Sequence, residues 1–162
     1  MKKLLVIAAI LTASFANAQA FTGKGDQKLQ VGVAFQSHAT GINVSYDHGI
    51  GESASIGFST GYVLDVADHL DAGFDDRFDA KLRLNANLCN VINVDENFDL
   101  YPGLTLSLKN FGGQLGTRYF FGSGLGVFAE AQFPIAKYNK NLSPAEEINN
   151  QFVMNIGVSF EL

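Results

Sequence analysis

The chain is short of cysteine, of charge and of long apolar runs, and each shortage removes a class of protein. The single cysteine, Cys89, has no partner for an intramolecular disulfide and cannot build a cysteine-based zinc cluster. Basic residues are few, eleven against sixteen acidic ones in 162 residues, for a formal charge of −5. A nucleic-acid partner needs a basic face, so none is expected. Charged residues make up 17% of the chain, where soluble domains hold about a quarter. Beyond the first twenty residues no stretch approaches the ~18 apolar residues of a membrane-spanning helix. Yet the chain is 47% hydrophobic and contains 14 Phe. Apolar content this high, without one long run, is spread over many short alternating segments. That distribution is the signature of a transmembrane β-barrel.

The first residues, MKKLLVIAAILTASFANAQA, have the three parts of a secretory leader. Lys2 and Lys3 give a charged start, Leu4–Leu11 a short apolar core, and two small-x-small sites follow, Ala16-Asn17-Ala18 and Ala18-Gln19-Ala20. Residues 1–20 are therefore expected to be a signal peptide, cut after Ala18 or Ala20, with a barrel domain over 21–162. Its removal leaves nine basic residues against sixteen acidic ones, a formal charge of −7. The apolar core is shorter than a membrane anchor needs, and no lipobox cysteine follows it.

Gly113–Phe133 sets the pattern for the remainder. Leu115, Thr117, Tyr119 and Phe121 share one face, and Gly116, Arg118 and Phe120 the other. After a Gly-Ser-Gly turn, Leu125, Val127, Ala129, Ala131 and Phe133 lie opposite Gly126, Phe128, Glu130 and Gln132. Successive side chains leave a strand on opposite sides, so period-two alternation of this length predicts two strands, and the short glycine-rich join predicts a hairpin. The same reading predicts strands at Asp26–Gln36, Gly41–His48, Ser53–Val63, Arg77–Leu88, Phe98–Leu108 and Gln151–Leu162. Pro102 is expected at a bulge or strand start, since it has no N–H to donate, and Pro134 is expected to end pairing. The total is about eight strands, all-β, in a single antiparallel up-and-down transmembrane barrel whose even number lets first and last strands close the sheet. Phe35, Tyr46, Tyr62, Phe78, Phe98, Phe121, Phe133, Phe152 and Phe160 fall near strand ends, where interfacial girdles form. With both termini in the periplasm, residues 37–40, 64–76, 109–112 and 137–150 are the external links, and 49–52, 89–97 and 122–124 the periplasmic ones.

The composition of the less apolar face decides which side is inside. A soluble lipocalin-type carrier would turn its polar face to water, where charges and long side chains belong. Here that face is mostly Gly, Ser, Asn and Gln with a few charges, which suits the narrow interior of an eight-stranded barrel. Buried charges must be paired. Arg118 and Glu130 are near-diagonal neighbours across the hairpin, and Lys81 and Arg83 lie one strand from Asp99. The expected structural network in the lumen is Asp79, Lys81, Arg83, Asp99, Arg118, Glu130 and Glu161.

The run LGTRYFFGSGLGVFAEAQF, with YPGLTLSL before it and FVMNIGVSFEL at the end, resembles the small outer-membrane β-barrel proteins of Bacteroidetes. The matching residues are Arg118-Tyr119-Phe120-Phe121, Phe128-Ala129-Glu130 and Asn155-Ile156-Gly157-Val158, and the likeness covers chiefly residues 98–162. It implies an OmpA/OmpX-like or porin-like barrel, placed in the outer membrane by the assembly machinery after Sec export. Such barrels commonly end in an aromatic residue, whereas this chain ends in Leu162, with Phe160 two positions earlier.

Four function classes follow. The first is a structural or loop-mediated binding protein with a plugged lumen, meeting lipid and lipopolysaccharide as a monomer. The others are a narrow transport pore, a lipid-modifying barrel enzyme and a soluble secreted carrier. Ser37-His38, with His69 near Asp68 and Asp71, are the candidates for a nucleophile and base at the rim, and nothing in their spacing shows that they converge. The acidic stretch 65–76 lacks the spacing and glycine of a calcium loop. Cys89 reads as a lone thiol in a connection, and nothing is read into Asn141-Leu142-Ser143. No catalytic, cofactor or metal residue is expected.

Overall fold

The computed structural model describes residues 19–37, 39–66, 72–92, 94–121, 124–139, 141, 143 and 145–162. Eight antiparallel strands close into one barrel in sequence order: β1 (Gln27–Gln36), β2 (Ala39–Gly49), β3 (Ala54–Val66), β4 (Phe78–Ala86), β5 (Phe98–Ser107), β6 (Asn110–Phe120), β7 (Leu125–Lys137) and β8 (Val153–Glu161). Closure is made by β1 on β8, from Lys28 opposite Glu161 to Gln36 opposite Val153. No sheet edge is left to recruit another chain. Two short helices interrupt the connections, α1 (Phe74–Arg77) and α2 (Cys89–Ile92), and a 3-10 turn spans Glu146–Asn150.

The alternation that marks the strands also sorts them by environment, and the result inverts a soluble protein. The outward residues are aliphatic and exposed: Val33 is 44% exposed, Ile56 48%, Leu82 61%, Leu104 47% and Ile156 50%. Monomeric soluble proteins do not surround themselves with a continuous apolar belt. The inward residues are polar: Lys28, Gln30, Ser45, Asp47, Asp99, Arg118, Glu130 and Asn155 are all buried. Strands of 9 to 13 residues rise about 3.3 Å per residue, and at a tilt of ~40° they make a wall of roughly 25 Å or more, the height of a lipid-facing band. Aromatic rings gather toward both ends of that band. Tyr62, Phe74 and Phe78 form a chain at one end, and Tyr119 packs edge-on to Phe121 at the other.

Several boundaries differ from the sequence reading. β2 begins at Ala39 and β3 runs on to Val66, so the 37–40 link and the start of the 64–76 stretch are partly strand. Residues 109–112 are not a link: β6 starts at Asn110, and only Leu108 and Lys109 turn the chain. Pro134 does not end pairing, for β7 continues to Lys137 opposite Asn110, with a register shift between Phe111 and Gly112 that absorbs the proline. Pro102 behaves as its missing N–H requires. Its pairing with Leu115 of β6 is intact, while the ladder between β4 and β5 stops at Asn85–Gly103, beside it, and one bond from Leu88 N–H to the Leu100 carbonyl follows.

Among the described residues a hydrophobic cluster lies at the barrel end opposite the termini. Ile148, from the 3-10 turn, packs on Ala39, Val63 and Val66 with Ala72 beside them. Lys109 closes the β4–β5 seam there, donating to the carbonyls of Asp75 and Phe78. Partial burial holds its ammonium below the usual lysine range, although Asp79, Asp76 and Asp75 favour the charge.

Candidate functional site

The only dense cluster of chemistry-bearing side chains among the described residues is the lumen. Alternation carries one residue in two of each strand inward, and in an eight-stranded barrel those side chains meet at the axis. Two arginines anchor the cluster. Arg83, from β4, donates from Nη2 to Glu130 Oε2 at 2.6 Å, and its Nε lies 2.9 Å from Asp47 Oδ1. Arg118, from β6, donates from Nη2 to Asp99 Oδ2 at 2.9 Å and to Asn87 Oδ1 at 2.7 Å, with Asp47 Oδ2 3.8 Å from its Nη1. Asp47 thus bridges both guanidinium groups. The Tyr101 ring packs beside them, 4.7 Å from Arg118 Cζ and 6.0 Å from Arg83 Cζ, and its hydroxyl accepts from Gln30. A Cβ at Gly116 would run into that ring, so the absent side chain is what lets Tyr101 lie across the lumen. Phe128 is accommodated in the same way against Gly32.

Two smaller groups flank this centre. Toward the termini, Lys28 Nζ sits 3.0 Å from Asp26 and 3.3 Å from Glu161, under the Phe120 ring. Toward the other end, Lys81 pairs with Asp79 at 3.5 Å and donates to Gln132, which itself donates to Glu130. Beside Asp79 and Lys81, Asn43, Ser59, Gln132 and Asn155 line a polar cavity of about 40 Å³, room for two or three waters at most. Below it Gln30, Arg83, Tyr101, Arg118 and Glu130 are almost fully buried side chains within the lumen.

All seven residues expected in the lumen, Asp79, Lys81, Arg83, Asp99, Arg118, Glu130 and Glu161, occupy it or its rim, but two of the expected pairings are different. Arg118 does not pair with Glu130; it takes Asp99, which stands directly opposite on β5, and reaches Asp47 beyond. Nor does Arg83 turn to Asp99; it crosses to Glu130 on β7 and Asp47 on β2. Sequence reasoning missed Asp26, Lys28, Asp47, Tyr101 and Gln30 as partners. Each has the parity of its strand's inward face, and that was the available signal.

The candidates outside the lumen come to little. Of the rim group, His38, Asp68, His69 and Asp71 lie outside the described residues, and the Ser37 carbonyl accepts from the Gln151 side chain. Cys89 is buried, donating to the Phe21 carbonyl. Burial and then the charge of Asp99 push its thiol above the ordinary range. No group of acidic, histidine or cysteine residues suited to a metal ion occurs among the described residues.

The geometry has close counterparts among solved structures. A protein from work on de novo design of transmembrane β-barrels superposes with a TM-score of 0.61 at 10% identity, covering 86% of this chain and 97% of that one. The N-terminal β-barrel domain of Pseudomonas aeruginosa OprF gives 0.57, also at 10% identity, covering 86% of this chain and 99% of the domain. No curated protein sequence matches. The chain belongs to the family of unknown function DUF6646, whose model matches residues 11–162.

Proposed function

We propose that this barrel acts in the bacterial outer membrane without conducting, as a structural protein or through the loops at the end opposite its termini. The carrying observation is the filled cross-section. Two arginines, three carboxylates and Tyr101 pack together across the lumen, and the cavity beside Asp79 and Lys81 has room for only a few waters. A pore needs a continuous hydrated path, and side chains packed across the lumen support a barrel without one. The exposed aliphatic belt and its flanking aromatic rings support lipid as the surrounding medium. In that reading the leader directs Sec export, the assembly machinery inserts the barrel as a monomer, and lipopolysaccharide meets its outer rim. No nucleic acid and no catalysis enter the proposal.

The test is conductance of the purified barrel in planar bilayers, alongside Arg83→Ala/Arg118→Ala. Silence from the native protein and discrete openings from the double variant are expected. Steady conductance from the native protein would transfer the reading to a narrow channel. Its unheated SDS gel mobility should differ from the boiled form, as for a closed barrel that detergent cannot open.

A further inference from the structure

Resting on the reading of an exported barrel, we infer that processing cuts the peptide bond between Ala18 and Gln19, because Gln19–Asp26 is a built part of the barrel's terminal end. The leader offers two small-residue sites, with Ala16 and Ala18 before one bond and Ala18 and Ala20 before the other. The fold distinguishes their products. Ala20 is fully buried, and its N–H donates to the Glu96 carbonyl at 2.7 Å. Phe21 is 1% exposed, and its carbonyl accepts from the Cys89 thiol. Gln19 donates through its side chain to Asn90 on the surface. The segment is tied to the wall beyond that point. Thr22 donates through its N–H and hydroxyl to the Asp26 carboxylate, the Gly25 N–H donates to the Gly49 carbonyl, and the Gly49 N–H donates to the Asp26 carbonyl. Asp26 then carries the segment into the lumen through Lys28.

Hydrolysis after Ala18 breaks its C–N bond to Gln19. Water supplies the oxygen that leaves Ala18 as a carboxylate, and the Gln19 nitrogen becomes an ammonium on a half-buried residue beside solvent. Hydrolysis after Ala20 would delete the Ala20–Glu96 bond and put the new ammonium on Phe21, where burial of a charge without a partner is costly. Of the two products, only the first keeps every contact that Gln19 and Ala20 make with described residues.

Intact mass and N-terminal sequencing of the protein recovered from outer-membrane fractions test the assignment. A chain starting at Gln19 is expected. A start at Phe21, or at any other downstream residue, overturns the assignment and leaves the export reading standing; a retained Met1 overturns both. A variant with Gln19 and Ala20 deleted, so that Ala18 directly precedes Phe21, checks the structural premise. Its SDS-resistant form should open at a lower temperature than the native one, and an unchanged temperature refutes the premise.

Discussion

Replacing Arg83 by methionine separates a sealed lumen from a wet one. Methionine is close enough in length to leave little cavity, so the loss is mainly electrostatic. Arg83 makes the shortest ion pair at the centre, 2.6 Å to Glu130, and a second of 2.9 Å to Asp47, with its side chain fully buried. Its removal leaves three carboxylates around Arg118 alone. Asp47 keeps a contact at 3.8 Å, and Glu130 keeps only the Gln132 amide. Breaking a buried pair from one side costs about 3–5 kcal/mol, which lowers the folding constant roughly 10²- to 10⁴-fold. The assay is urea titration of the barrel refolded into lipid vesicles, followed by the gel-mobility difference between folded and unfolded forms. A second variant, Arg83→Met/Glu130→Gln, no longer strands the Glu130 charge and should recover a large part of the loss, since contacting residues do not act additively. A cost below about 1 kcal/mol for Arg83→Met, the level of exposed ion pairs, would show that water already reaches these groups. The sealed-lumen reasoning would then be wrong.

Leu82→Arg on the outer wall should cost about 2–4 kcal/mol in vesicles, because Leu82 lies midway along β4 and is 61% exposed to what must be lipid; a neutral result in the same titration would put that face in water. Gly116→Ala should destabilise by roughly 1–3 kcal/mol, the range for overpacking, because the new methyl meets the Tyr101 ring; Tyr101→Ala in the same chain should reduce the penalty, and an additive pair would deny the contact. Cys89 should resist alkylation in the folded barrel and react once urea opens it. Its raised pKa leaves less thiolate than a free thiol has at about pH 8, so its folded-state labelling rate should keep rising beyond about pH 9, whereas a rate that levels near pH 8.5 counts against the buried assignment.

The strands were legible because a barrel wall has one demand repeated along its length. Each wall residue faces either lipid or lumen, so alternation survives in all eight strands, from Val31, Val33 and Phe35 on β1 to Ile156 and Val158 on β8. The ends were less legible because pairing there is decided by neighbours. Pro134 looks like a stop when read alone, but β7 takes an extra residue, Ile135, opposite the Phe111–Gly112 step of β6, and the ladder goes on. The N-terminal segment shows the same limit. Ala20 and Phe21 carry no pattern, and only the α2 connection, with Cys89 and Glu96, explains why they are buried.

The charge network fails to be legible for a deeper reason. Along a strand, and between two strands of a hairpin, sequence distance maps onto space, which is why Arg118 and Glu130 looked like partners. Across the lumen no such map exists. The register between each pair of strands adds its own offset around the barrel, and these offsets decide which inward residues arrive at the same height on opposite walls. Asp47 on β2 meets Arg83 on β4 and Arg118 on β6 because every register between them is fixed as it is. The network in turn holds that register. A slip of one residue would turn each of these charges out of the lumen toward lipid, so the same five ionised groups that close the barrel also penalise its misaligned forms. A barrel with an apolar exterior and a short, featureless interior of serine and glycine would lack that penalty. This one carries Asp47, Arg83, Asp99, Arg118 and Glu130 on the inward face of its strands, where a misaligned wall would turn them to the apolar side.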